Sequence, residues 1–296
     1  MVLRAFDVMG TKANIVLVAG TERIADLIEE SARQLDELWS RFRSTSDISR
    51  INNAEGATVT VDPLTSKLVI EMIAARTLTK GEYDPTILPR LLAEGYVASR
   101  RDPKLVTVLP ASATWPVDPS GTVVTENTVT LTKGVTLDPG GIGKGVAADV
   151  LCALAISSGA LGALIEIGGD LRIMGTPPSG KVWRIGIEDP WDDTKTLESV
   201  ALIDGAVATS STLKRAWEQN GKTVNHLISS QTGVSMNSDI VSVSVIANTA
   251  GIAEVLTKSG FTRPDYLDWV PALGAAALII KNDGTIHKSK NWDDYS

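Results

Sequence analysis

Apolar and polar positions along the chain fall into segments of two periods. NIVLVAG, residues 14–20, is a short apolar run closed by glycine and predicts a strand. From Thr21 the period changes. Ile24, Leu27, Ile28, Leu35, Leu38, Trp39 and Phe42 recur at three- and four-residue steps, which predicts an amphipathic helix running to Phe42 with Thr21 as its N-cap. TSKLVIEMIAARTLTK predicts a second helix, closed by Gly81. Residues 100–137 are dominated by Pro, Asp, Thr and Val, and TVVTENTVTLT predicts a hairpin across Glu126 and Asn127. A helix is expected over 144–158, ended by Gly159. GALIEIGGDLRIMG then reads as strand, double-glycine bend, strand; KVWRIGIED, ESVALIDGAVATSS and DIVSVSVIA read as further strands. TAGIAEVLTKSG is helical in pattern, and AALIIKNDGTI predicts a last hairpin across Asp283 and Gly284. Strands outnumber helices and short turns join many of them, which predicts an α+β fold with largely antiparallel sheets. The charged tail, 288–296, is expected to fray.

Composition narrows the function classes. The 296 residues are 43% hydrophobic and 21% charged, enough for a sizeable core. A net charge of −7 with no clustered Lys/Arg run excludes a nucleic-acid partner, which needs a concentrated positive surface. It equally disfavours an anionic membrane surface. No stretch reaches the ~20 apolar residues of a spanning helix, so no membrane insertion is expected. Residues 1–20 show no signal-peptide or lipid-anchor pattern, and a cytoplasmic location is the expectation. Cys152 is the single cysteine and sits in VLCALAI, where it reads as a small buried hydrophobe.

The chemistry-bearing signals are few. LDPGGIGKGVAADVL, residues 137–151, joins a glycine-rich bend and a lysine to a helix start, a device that suits either an anion or a tight structural turn. It is neither a Walker loop, since Gly145 follows Lys144, nor a dinucleotide fingerprint. His287 lies on a surface-like stretch, whereas His226 sits beside a Thr-Gly turn and reads as a buried structural residue or as the edge of a site. Asp84 precedes Pro85 and reads as a turn residue or as an acceptor for a ligand amide. GGD at 168–170 and ATSS at 208–211 are small-residue bends. No paired His or Cys-x-x-Cys metal pattern and no G-x-S-x-G elbow occurs.

Eight fragments in order carry a resemblance: Met9-Gly10-Thr11, RFRSTSDISRIN at 41–52, GEYDPTILP at 81–89, LDPGGIGKGVAAD at 137–149, IEIGGDLRIMG at 165–175, IGIEDP at 185–190, AVATSS at 206–211 and HLISSQTG at 226–233. Together they resemble the ApbE-like flavin transferase family over roughly nine-tenths of the chain. The resemblance implies a T-fold-related α+β architecture, as one domain over 1–296 or as two intertwined α/β lobes. It implies FAD as ligand, and a Mg2+ ion on its pyrophosphate. FMN would be transferred to a Ser or Thr hydroxyl of an acceptor flavoprotein, with release of AMP. His226 matches the family's histidine and would be the general base. Met9, Phe42, Tyr83, Asp84, Gly140, Val146 and Ile240 match positions that contact the flavin nucleotide. The Gly143 carbonyl and Thr257 would be metal ligands. Two departures stand out: Ala253 occupies the place of an Asp four residues before Thr257, with Glu254 beside it, and Ser229-Ser230 replaces Asp-Pro. The alternatives are a non-catalytic FAD carrier or sensor, an FAD pyrophosphatase giving FMN and AMP, and a structural partner with a vestigial pocket.

Overall fold

The computed structural model describes residues 1–99, 101–214, 216–219, 222–225, 227–236 and 238–296. The chain divides into two compact units, Met1–Ala32 with Lys144–Arg215 and Asn237–Ser296 in the first, Arg33–Gly143 with Ala216–Met236 in the second.

The first unit is built on an eight-stranded sheet. Its strands, side by side, are Val2–Val8, Thr11–Val18, Gly162–Ile167, Asp170–Gly175, Gly205–Ser211, Ile240–Ala247, Ala276–Lys281 and Ile286–Lys288. Every neighbouring pair is antiparallel. The α+β, antiparallel expectation therefore holds. Side chains alternate across the sheet. Leu171, Ile173, Val207, Ile246, Leu278 and Ile280 share one core with Trp183, Ile185, Val200 and Leu202 of a hairpin, Trp183–Asp189 against Asp192–Leu202. The opposite parity, Asp170, Arg172, Ala208 and Ser210, belongs to the face covered by helices Gly143–Ser157 and Ala250–Ser259. One polar end of that face collects several bends the sequence singled out. The Met9-Gly10 turn and the Gly168-Gly169 turn adjoin there, with Gly168 N donating to Lys12 O at 3.0 Å. Beside them the 205–211 strand ends and the 240–247 strand begins, with Ser211 opposite Ser242.

The second unit holds helices Asp47–Asn52, Pro63–Leu78 and Leu88–Ala93 and a small sheet of Val59–Thr60, Thr128–Thr130 and Val123–Val124. The expected hairpin across Glu126 and Asn127 is in that sheet. Leu88, Leu91 and Ile228 form a local core with Tyr96 and Leu109 packed on it.

Three expectations need correction. The first strand is Val2–Val8, an edge whose Arg4 and Asp7 disguise its period-two pattern. The first helix stops at Trp39 rather than Phe42, since Ser46 Oγ donates to Ser40 O at 2.7 Å and Arg41 turns into the second unit's interior. The tail does not fray: Trp292 is fully buried in the sheet core and Tyr295 packs against it.

Candidate active site

In the first unit, two helices meet through their N-termini. Gly145 is the contact point: a Cβ there would lie 2.3 Å from the Ala250 carbonyl oxygen, so no side chain is tolerated. Each helix caps the other. Glu254 Oε2 accepts from the Gly145 amide at 2.8 Å, and the Asp149 carboxylate accepts from the amides of Ala250 and Gly251, each at 2.9 Å. Both carboxylates thus sit where exposed helical N–H groups and the dipole favour negative charge. The anion on the glycine-rich bend's Gly145 amide belongs to the protein itself.

Glu254 is completely buried and belongs to a charge cluster. Lys144 Nζ donates to Glu254 Oε1 at 2.6 Å and also pairs with buried Asp170. Lys258, one turn beyond Glu254, donates to three uncharged oxygens: Glu254 O at 2.9 Å, Ser210 Oγ at 3.1 Å and Thr257 Oγ1 at 3.2 Å. Thr257 Oγ1 donates to Glu254 O at 2.6 Å and shares a 2.6 Å hydrogen bond with Ser210 Oγ. Burial acts to raise both carboxylates. Asp170 is pushed up to about 6 by burial and by repulsion from Glu254, against the pull of Lys144. For Glu254 the burial effect is outweighed by Lys144, Lys258 and the Gly145 amide, and its pKa lies below the usual carboxylate value.

In the second unit, Arg41 is the organiser. It is 5% exposed, donates to Thr107 Oγ1 at 2.6 Å and to Tyr96 O at 2.9 Å, and pairs with Asp138 at 3.1 Å. Burial lowers its pKa, against the Asp138 carboxylate that raises it. Its guanidinium lies 4.2 Å from the Phe42 ring centre and 4.7 Å from that of Tyr96, a cation–π stack. Asp138 N donates to Pro85 O at 2.8 Å, so the LDPGG and GEYDP segments are neighbours. Asn52 fixes the same bend from behind: its amide donates to Leu137 O at 2.9 Å and accepts from Leu137 N at 2.8 Å. Asp84 accepts from Trp115 Nε1 at 2.9 Å and from the Thr86 amide and hydroxyl at 3.0 and 2.8 Å. The two bonds from Thr86 close the turn that follows Asp84. Gly140 is exposed, and a Cβ on it would meet Asp138 Oδ2 at 2.8 Å.

The family model described as the ApbE family matches residues 9–278. The chain belongs to the ApbE family. It is similar to the FAD:protein FMN transferase of Vibrio cholerae, 29% identical over 294 residues that cover 93% of this chain and 86% of that protein. It is similar to the FAD:protein FMN transferase of Salmonella typhimurium at 28% identity over 257 residues, 82% of this chain and 73% of that one. Among solved structures, the ApbE protein of Thermotoga maritima matches with a TM-score of 0.86 at 27% identity, over 99% of this chain and 98% of that chain.

The ApbE-family residues expected from the sequence distribute as follows. The second unit brings the segments of Phe42, Tyr83, Asp84 and Gly140 together through Arg41, Asp138 and Pro85. Tyr83 is buried and Phe42 half-buried. Gly143, buried, opens its helix and belongs to the second unit. In the first unit, Met9 stands at a turn with φ 49° and Ile240 begins its strand at the same end of the sheet. Val146 is fully buried, and Thr257 lies in the Lys258 cluster. His226 lies outside the described residues. Among the described residues, no group of three His, Cys, Asp or Glu is placed to hold a metal. The surroundings of Thr257 do not fit a divalent ion. Its hydroxyl oxygen already lies 3.2 Å from the Lys258 ammonium, and both Glu254 oxygens accept hydrogen bonds. An ion at magnesium–oxygen distance from Thr257 would stand within about 5 Å of that ammonium. At an effective dielectric of about 20 the repulsion is on the order of 6 kcal/mol. Sequence reasoning did not single out Arg41, Asp170, Ser210 and Lys258 as site builders, although the first three lie in fragments it quoted. For Lys258 the available signal was the four-residue step from Glu254 on a helix.

Proposed function

We propose that this chain is a flavin transferase that moves FMN from FAD to a Ser or Thr hydroxyl of an acceptor protein and releases AMP. The observation that carries this reading is the ApbE-family match over 9–278, joined to relatives named FAD:protein FMN transferase over most of both lengths. In the reaction the acceptor oxygen bonds to the FMN phosphorus. The bond from that phosphorus to the bridging oxygen breaks, and the oxygen leaves with AMP. The hydroxyl proton passes to His226 as general base. Phosphoryl transfer is largely positioning and charge neutralisation, tasks suited to rigid bends and fixed cations. Met9, Phe42, Tyr83, Asp84, Gly140, Val146 and Ile240 are the residues we assign to the flavin nucleotide. Half-buried Phe42, stacked on the Arg41 guanidinium, is suited to meet an aromatic ring. No step is assigned to magnesium.

The test incubates the purified chain with FAD and a library of Ser- and Thr-containing peptides, followed by mass spectrometry. Covalent FMN on peptide with an equal amount of AMP is the expected result. AMP and free FMN with no modified peptide would instead make the chain a pyrophosphatase. His226→Ala is expected to abolish transfer while FAD still binds, and a variant that transfers at the full rate would remove the general-base assignment.

A further inference from the structure

We propose that Lys258 is a resident cation of this enzyme: its ammonium takes the place of a divalent metal, so that FAD is held, and its pyrophosphate charge met, without magnesium. The inference rests on the transferase reading above and concerns which charge serves it.

The Lys258 ammonium is bound as a metal ion would be. Its three donors face three oxygens, Glu254 O, Ser210 Oγ and Thr257 Oγ1, all between 2.9 and 3.2 Å and all formally uncharged. Glu254 Oε1 stands farther off at 3.9 Å and already accepts from Lys144. The lysine side chain keeps 14% of its surface exposed, whereas Glu254 keeps none, so the cluster presents positive charge outward and buries its negative charge. The departure at Ala253 fits the same arrangement. Ala253 is fully buried and brings no carboxylate. Exchanging a divalent ion for an ammonium while dropping one carboxylate leaves the local net charge unchanged. Ser210 comes from the sheet and Thr257 from the helix, and their mutual hydrogen bond fixes the oxygens that hold the ammonium. A compact ammonium held this way is a point charge with little left to reorganise when phosphate arrives.

Two measurements on the full chain test this. Manganese(II) is titrated into the protein, with and without FAD, and bound ion is read by electron paramagnetic resonance. FAD affinity is read by flavin fluorescence in excess chelator and in excess magnesium, for the wild type, Lys258→Met and Lys258→Arg. The expected results are no bound manganese in the wild type and an FAD affinity that differs less than about twofold between chelator and magnesium. Lys258→Met is expected to lose FAD affinity about tenfold or more in chelator, and Lys258→Arg to keep most of it. One manganese bound per wild-type chain, magnesium tightening FAD by about tenfold, or Lys258→Met binding FAD like the wild type in chelator would each overturn the assignment. If Lys258→Met does not fold, Lys258→Arg and the manganese titration decide. Should FAD bind the wild type under neither condition, the transferase reading itself fails, while manganese bound to the wild type still separately overturns the role of Lys258.

Discussion

The Glu254 carboxylate accepts the Gly145 amide at 2.8 Å, and so closes the N-terminus of one helix from inside another. The same carboxylate receives Lys144, so a single buried anion satisfies a backbone donor and a charge at once. Removing its charge leaves Lys144 with Asp170 as its remaining buried carboxylate partner. Glu254→Gln is expected to destabilise the protein by about 2 kcal/mol, since it breaks a buried ion pair whose loss Asp170 offsets only in part. Urea unfolding followed by circular dichroism measures it, and a midpoint equal to that of the wild type would contradict the role given to Glu254.

Gly145 is where the two helix N-termini touch. Its would-be Cβ meets the Ala250 carbonyl oxygen at 2.3 Å, a backbone atom that cannot swing aside. Gly143 has its nearest such neighbour at 3.4 Å, an ordinary contact. Gly145→Ala is therefore expected to cost about 3 kcal/mol and Gly143→Ala less than about 1 kcal/mol. Thermal melts of the two variants side by side check the contrast, and equal losses would mean the close approach is not what selects glycine.

Asp170 carries a pH dependence of definite sign. Burial first, and Glu254 second, push its pKa up to about 6 from the ordinary 3.8. The folded protein holds this proton more tightly than the unfolded chain does. Its contribution to stability is therefore complete below pH 3.8 and is lost as the pH rises through about 6. Asp170→Asn, which resembles the protonated form, is expected to flatten stability against pH over that window. Melting temperatures from pH 4 to pH 7 test it; a wild-type profile as flat as the variant's there would show that Asp170 is not raised.

Cys152 is buried and its thiol is pushed up to about 12, mainly by burial. Almost none of it is thiolate near neutral pH, and the thiolate is the reactive form. A disulfide reagent is expected to label the native protein very slowly at pH 8 and the urea-unfolded chain at once. Rapid labelling of the native protein would place the thiol at the surface.

Much of the architecture was written in local pattern. Short apolar or small-residue runs at 162–175, 205–211, 240–247 and 276–281, closed by turn residues, determined strands that are largely buried on both faces, and the helical patterns near 22–39, 63–78 and 250–259 determined helices. The glycine pair at 168–169 and the Asp283-Gly284 step determined tight reversals, since the backbone there needs positive φ. The family itself was legible from eight short fragments in order. What the fragments could not carry was the partner of each group. The Gly145 amide found its anion 109 residues away, and Lys258 found an oxygen on Ser210 48 residues earlier. The sequence alone left the glycine-rich bend open to an anion or to a tight structural turn, and it could not tell which oxygens would hold the Lys258 ammonium. Strand pairing and helix crossing decide which side chains meet, and these are properties of the packed chain rather than of any one segment. Trp292 makes the same point at the tail: a charged, tail-like stretch is held because one indole in it found a place in the sheet core.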